Sequence, residues 1–190
     1  MKIGLYFGSF NPIHNGHLIV ANYVLNETDL EKVWLVVSPQ NPLKNEKSLL
    51  NEYHRLHLAT LATEGDPRIK PSDIEFSLPK PSYTIDTLIY LKEKYPQHLF
   101  RIIMGADSFQ NLSRWKNYQT LIADYEMLVY PRMGYATTNP LGAKATMVQA
   151  PLLQLSSTYI RDCIAKGKSI RYMLPDGVIE EIARGGYYKK

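Results

Sequence analysis

Gly8-Ser9-Phe10-Asn11-Pro12-Ile13-His14-Asn15-Gly16-His17 joins two segments of different periodicity. The run before it, Ile3-Gly4-Leu5-Tyr6-Phe7, is short and apolar and reads as a buried strand. The run after it, Leu18-Ile19-Val20-Ala21-Asn22-Tyr23-Val24-Leu25, spaces its apolar residues as a helix does. The ten residues between are therefore a tight strand-to-helix turn that delivers two imidazoles to the first helical turn. His14 and His17 are three apart and share one face. A helix N-terminus gathers N–H groups without an intrahelical partner, and its dipole favours negative charge. Such a turn can grip a phosphate chain.

The alternation continues down the chain. Strand-like runs fall at 2–8, 33–38, 99–104, 126–130 and 145–149, and amphipathic segments at about 16–27, 51–64, 84–95 and 118–124. Strands alternating with helices predict an α/β fold, a Rossmann-like doubly wound parallel sheet with helices on both faces. Segments 157–166 and 176–184 are expected to be C-terminal helices closing one domain that spans 1–190. In such a sheet the loops leaving the carboxyl ends of the strands surround the ligand crevice. The loops after residues 7, 38 and 104 should share one rim. Two long loops, 38–50 and 131–144, are candidates for function.

The gross composition narrows the class. The chain has 190 residues, 45% hydrophobic and 21% charged, enough for a domain with a real core. No apolar run is long enough to span a bilayer, and Met1-Lys2 leads straight into a strand rather than a signal peptide. The single cysteine, Cys163, excludes an internal disulfide and reads as a buried structural thiol. A cytoplasmic protein with no membrane partner is expected. The net charge of +4 favours anionic ligands, but Lys and Arg form no basic stripe, so nucleic acid is not expected as a partner. A homo-oligomer is compatible with the sequence.

Two familiar phosphate motifs are missing. No G-x-G-x-x-G follows the first strand, and Gly167-Lys168-Ser169 lacks the glycine a P-loop needs where Asp162 stands. If the fold holds a nucleotide, the histidine turn must hold its phosphates. Zinc competes for the same pair, but it usually takes i,i+4 histidines and a third ligand. His54-Arg55-Leu56-His57 repeats the spacing within an amphipathic helix without a glycine turn, and reads as surface plus packing. Near the other end, Ser156-Ser157-Thr158-Tyr159-Ile160-Arg161 opens a helix. Its hydroxyls suit caps, while Arg161, one turn in, offers a fork for phosphate oxygens.

His14-Asn15-Gly16-His17 and Ser156–Arg161 together resemble the HxGH and S-S-T-x-I-R elements of the nucleotidyltransferase superfamily. Within it the chain is most similar to bacterial nicotinate-nucleotide adenylyltransferases, with matches scattered from residue 4 to 161. The resemblance implies adenylyl transfer from ATP to nicotinate mononucleotide, with Mg²⁺ entering alongside ATP and no dedicated metal site. His14, His17, Lys44 and Arg161 would be catalytic. Gly8, Ser9, Phe10, Gly16, Gly105, Asp107, Ser156, Ser157 and Thr158 would bind ATP, Asp107 through its ribose. Lys44, in Pro42-Leu43-Lys44, would clamp the transferring phosphate. Tyr83 and Thr84, in Pro81-Ser82-Tyr83-Thr84-Ile85-Asp86-Thr87-Leu88, would line the pyridine pocket together with Trp115. Ser82 or Thr84 could equally cap a helix, Asp107 could be an N-cap, and Trp115 could belong to the core. The sequence departs from the family at Asn11, where relatives often carry Asp, and at Leu78-Pro79-Lys80, where many carry an arginine and a glycine. Nicotinamide mononucleotide, another phosphorylated acceptor, or non-catalytic nucleotide binding stay open as alternatives.

Overall fold

The computed structural model describes residues 1–40, 49–151 and 153–189. Six strands, Lys2–Gly8 (β1), Lys32–Val37 (β2), Ile69–Ser72 (β3), Leu99–Gly105 (β4), Met127–Tyr130 (β5) and Ala145–Met147 (β6), form one sheet. Their order is β3-β2-β1-β4-β5-β6, and all neighbours run parallel. The helices are Asn15–Glu27 (α1), Glu52–Ala62 (α2), Thr84–Lys94 (α3), Ala106–Gln110 (α4), Tyr118–Asp124 (α5), Ser157–Ala165 (α6) and Asp176–Gly185 (α7). The expected doubly wound sheet is thus present. The chain order reverses between β1 and β4, which opens a crevice at the carboxyl ends of these two strands.

Side-chain alternation along each strand feeds two cores. Ile3 and Leu5 of β1 join Ile85, Leu88, Phe109 and Leu121 on one face, from α3, α4 and α5. Tyr6 joins Val24, Leu58, Ile160 and Val178 on the other, from α1, α2, α6 and α7. A strand covered on both faces has no reason to be polar at any position, and this is why residues 3–7 read as one apolar run. Among the described residues, no helix is long and apolar enough to cross a membrane.

Three boundaries differ from the sequence reading. Strand β3 was not expected: it has four residues and contains Pro71, which cannot donate to a ladder and is tolerated because β3 lies at the sheet edge. The opposite edge strand, β6, stops at Met147 rather than 149. Helix α4 begins directly after Gly105, so the expected strand end at 104 is a strand-to-helix corner like the one after β1.

The C-terminal helices close the domain and also hold the first turn from outside. Asn15 donates its backbone N–H to Met173 O (2.9 Å) and its side-chain amide to Tyr172 O (2.7 Å). Tyr188 donates its hydroxyl to Asn11 Oδ1 (2.9 Å). His54 and His57 are exposed, His54 meeting the Tyr187 hydroxyl at 3.0 Å, and Cys163 is buried, as expected for all three.

Arg55 of α2 is fully buried. Its Nε donates to Leu50 O (2.7 Å), Nη1 to Ser38 O (2.8 Å) and Ser9 O, and Nη2 to Pro39 O (3.1 Å). One guanidinium therefore ties the turn after β1 to the end of β2. A buried charge is tolerated here because carbonyl dipoles replace its water. Arg55→Ala would strand those carbonyls and is expected to cost about 3 kcal/mol of unfolding free energy. Urea titration should show that loss, and thermal melting a drop of roughly 6–12 °C.

Candidate active site

A cleft of about 590 Å³ opens at the carboxyl ends of the strands. Its wall takes Gly8, Ser9 and Phe10 from the first turn, and His14 and His17 from the start of α1. Ser156, Ser157, Thr158 and Arg161 come from the start of α6, and Asp107 from α4. Tyr83, Thr84 and Trp115 line it as well. Residues more than 140 positions apart in the chain thus meet in one cavity. Ser38 and Asp107 stand there beside Gly8, so the three loops do share a rim. Lys44 lies outside the described residues.

His14 caps α1 and is buried, while His17 sits one turn inside. The two rings stack, centroids 3.8 Å apart and 24° from parallel. The His14 backbone N–H donates to His17 Nδ1 (3.2 Å), so a neutral His17 carries its proton on Nε2. His14 Nδ1 is buried and has no partner among the described residues. A proton there would be a stranded donor, which is rarer than a stranded acceptor, so His14 too is assigned its proton on Nε2. Burial, with a smaller contribution from the Arg132 charge, lowers the His14 pKa to about 4. The ring is neutral at ordinary pH. Gly16 accommodates this packing: a Cβ there would lie 3.0 Å from the His14 ring. The Phe10 ring meets His17 edge-on at 5.0 Å, and Tyr6 does so at 6.0 Å. Phe10 adopts φ +45°, a left-handed conformation that costs a bulky residue on the order of 1–3 kcal/mol and that its burial over-determines.

The two motifs bind each other. Ser157 Oγ donates to Pro12 O (2.8 Å) and Arg161 Nη1 donates to Asn11 O (2.7 Å). The capping reading holds for Ser156, whose Oγ accepts from Tyr159 N (3.2 Å). Asn11, given no catalytic duty, is buried, and its side-chain oxygen accepts from Leu50 N (3.2 Å) as well as Tyr188. Gly105 permits a close approach: a Cβ there would lie 2.3 Å from Asp107 Oδ1 and 3.0 Å from Arg132. The N-cap of α4 is Gly105, so Asp107 is not its cap. Tyr83 is the N-cap of α3 and no side chain caps that helix, so neither Ser82 nor Thr84 does. Trp115 is half-buried in the cleft wall and also packs on the α3–α5 core.

Several cleft residues escaped the sequence reading. Arg132 follows β5 and sits 3.6 Å from Asp107. It could have been suspected, because it leaves the carboxyl end of a strand as the other rim loops do. Tyr6 and Tyr130 share a 2.9 Å hydroxyl contact, and burial raises both phenols. Glu75 is buried in the wall next to Ser38 and Ser82, and burial raises its pKa. Lys116 lies over the Tyr83 ring (4.7 Å) and pairs with Asp86 (2.8 Å). Among the described residues Arg114, Lys116, Arg132 and Arg161 line the cleft beside Glu75 and Asp107, with Asp86 paired to Lys116, so the cleft attracts anions.

Among the described residues, no three His, Cys, Asp or Glu side chains gather as metal ligands. The donors present, imidazole, guanidinium and hydroxyl, suit phosphate oxygens rather than a bare cation.

Residues 5–163 match the cytidylyltransferase-like family. A protein of Flavobacterium psychrophilum named "Probable nicotinate-nucleotide adenylyltransferase" is 48% identical over 193 residues, covering 100% of both chains. One of Cytophaga hutchinsonii with the same name is 50% identical, covering 99% of this chain and 98% of its own. The fold also superimposes on nicotinic acid mononucleotide adenylyltransferase of Plasmodium falciparum complexed with NaAD, with a TM-score of 0.83 at 23% identity, covering 98% and 97% of the two chains. Identity of this order over the full length of the chain places the protein in the nicotinate-nucleotide adenylyltransferase family of cytidylyltransferase-like proteins.

Proposed function

We propose that this protein transfers the adenylyl group of ATP to nicotinate mononucleotide, forming deamido-NAD and pyrophosphate. The observation that carries the reading is the docking of Ser157 and Arg161 onto Pro12 and Asn11, beside the stacked His14–His17 pair. Two helix N-termini and a guanidinium converge there on one anionic guest. The names of the full-length relatives support the same activity.

In this reading an acceptor phosphate oxygen, already ionised at neutral pH, attacks the α-phosphorus. The bond to the bridging oxygen breaks, and pyrophosphate leaves with the electron pair. No protein nucleophile is required, so the catalytic duty is alignment and charge neutralisation. His14 and His17 donate from Nε2 to the α-phosphoryl and bridging oxygens. Arg161, with the α6 N-terminus, receives the β- and γ-phosphates, and Lys44 is assigned the transferring phosphate. Asp107 accepts from the adenosine ribose. Mg²⁺ accompanying ATP would be held by the nucleotide's phosphates rather than by side chains, and would supply charge neutralisation to the leaving group that Arg161 and the α6 N-terminus receive. The acceptor's pyridine ring stacks on Trp115, and its carboxylate meets backbone N–H groups near Tyr83 and Thr84. Lys116 adds positive charge at that end.

His17→Ala should keep the wild-type melting temperature and ATP affinity, yet lose turnover by on the order of 10²-fold or more in a pyrophosphate-release assay. Equal activity would remove His17 from the mechanism. In the same assay nicotinate mononucleotide should outrun nicotinamide mononucleotide, and a reversed preference would reassign the acceptor. Histidine NMR should find one ring titrating at about 4, absent in His14→Asn. Between about 6.5 and about 4 the unfolded chain binds a proton that folded His14 refuses, so His14 lowers stability as pH falls through that window. His14→Asn should flatten that part of the stability curve.

A further inference from the structure

We propose that Glu75 is a positioning residue for the acceptor pocket, whose buried carboxyl sets the charge that the acceptor's ring substituent can carry. The inference rests on the adenylyl-transfer reading above.

Glu75 sits in the 3-10 turn Ile74–Ser77, between the end of β3 and α3, and only 1% of it is exposed. Its Oε1 accepts from the Thr87 hydroxyl (2.8 Å), one turn into α3. Among the described residues neither its Oε2 nor Ser82 Oγ, buried beside it, completes a well-aligned hydrogen bond, although the Ser38 and Ser82 hydroxyls stand close enough to the carboxyl to favour its ionised form. Two such polar atoms in the wall of a ligand cleft are costly unless a bound molecule or a rearrangement it drives satisfies them. The side chain is thus fastened to the first turns of α3, the backbone assigned to the ring's anionic substituent, with Ser82 between it and Tyr83.

The groups bearing on the Glu75 carboxyl are all hydroxyls: Thr87 from α3, Ser38 from the end of β2, and Ser82 from the loop before α3. Asp86 of α3 and Lys116 also stand at this end of the cleft, but they pair with each other. Among the described residues no cation is paired with the Glu75 carboxyl, and burial raises its pKa. An ionised Glu75 behind the wall would oppose a carboxylate in front of it. A protonated Glu75 removes that repulsion and leaves an O–H to donate, directly or through Ser82. Binding a ring that carries a carboxylate should then draw a proton onto Glu75, whereas a ring carrying a neutral amide should not. Ionisation of Glu75 would narrow the discrimination between the two.

The test uses the full chain, with nicotinate mononucleotide and nicotinamide mononucleotide as probes. Calorimetry in buffers of different ionisation enthalpy should show net proton uptake when the acid form binds to the wild type. Uptake should be absent with the amide form, and absent with either form in Glu75→Gln. The wild-type KM for the acid should rise about tenfold as pH passes through the Glu75 titration, with the ATP KM unchanged. Glu75→Gln, isosteric and neutral, should hold that KM flat. Ser82→Ala removes a hydroxyl that favours the ionised form, so it should move the wild-type pH dependence to higher pH. This second variant keeps the test decisive if Glu75→Gln fails to fold. An unchanged pH profile in Glu75→Gln or in Ser82→Ala, or a KM increase shared equally by ATP and the acceptor, would overturn the role of Glu75 alone. Failure of the wild type to release pyrophosphate with either mononucleotide would overturn the adenylyl-transfer reading and this inference with it.

Discussion

The guanidinium of Arg55 sits out of water among the carbonyl oxygens of Ser9, Ser38, Pro39 and Leu50, and the cleft is organised around it. Those carbonyls belong to the turn after β1, the chain leaving β2, and the residue before the N-cap of α2. Among the described residues, none of them has a ladder or helix partner to fix its direction at that point. A planar donor fork supplies the missing partner for several at once, in a fixed geometry that lysine could not reproduce. Asn11 works alongside it: its side-chain oxygen takes Leu50 N and the Tyr188 hydroxyl, and its carbonyl takes Arg161. The histidine turn is thus held by α2, the C-terminal tail and α6. This matters because catalysis by alignment tolerates little looseness in the aligning groups.

The same cleft shifts two titrating groups in opposite directions by the same physical cause. Burial penalises the charged form, so it lowers His14 and raises Glu75. Both groups are pushed toward neutrality. The fixed charge lining the cavity is then dominated by Arg114, Lys116, Arg132 and Arg161, which suits a reaction between two phosphorylated molecules. A neutral imidazole is also a proton donor that brings no charge to be desolvated, and it can serve oxygens whose negative charge is redistributed as the bond to phosphorus changes.

Much of this was legible in the residues. The strand β1, the turn and the helix α1 could be read because apolar residues switch period across a glycine-bearing turn. The pairing of His14–His17 with Ser156–Arg161 pointed to one site, and the structure brings the two together. What was missed shares a physical trait: its role depends on tertiary surroundings that override local pattern. Arg55, charged and within an amphipathic helix, reads as solvent-facing, yet it is fully buried. Glu75 lies in a turn, where a carboxylate signals nothing until β2 and α3 enclose it. Pro71 hid β3, since proline argues against a strand unless the strand is known to be at an edge. The capping alternative left open for Ser82 and Thr84 does not hold, because the chain places Tyr83 at the cap position.

The topology explains why so much of the site had to be non-local. In a sheet ordered β3-β2-β1-β4-β5-β6, β1 and β4 are neighbours although three α-helices and two strands separate them in sequence. Each leaves the sheet through a sharp strand-to-helix corner, at Gly8 and at Gly105, and the two corners open onto the same cleft. A close-approach glycine at each corner lets backbone or a carboxylate crowd toward a ligand without a Cβ between. The histidine turn and the turn that carries Asp107 are thus brought side by side where the winding of the sheet reverses. The third corner, at α6, arrives only after the sheet is complete. It docks on the first through Ser157 and Arg161, so the anion seat assigned to it joins residues from the two ends of the chain.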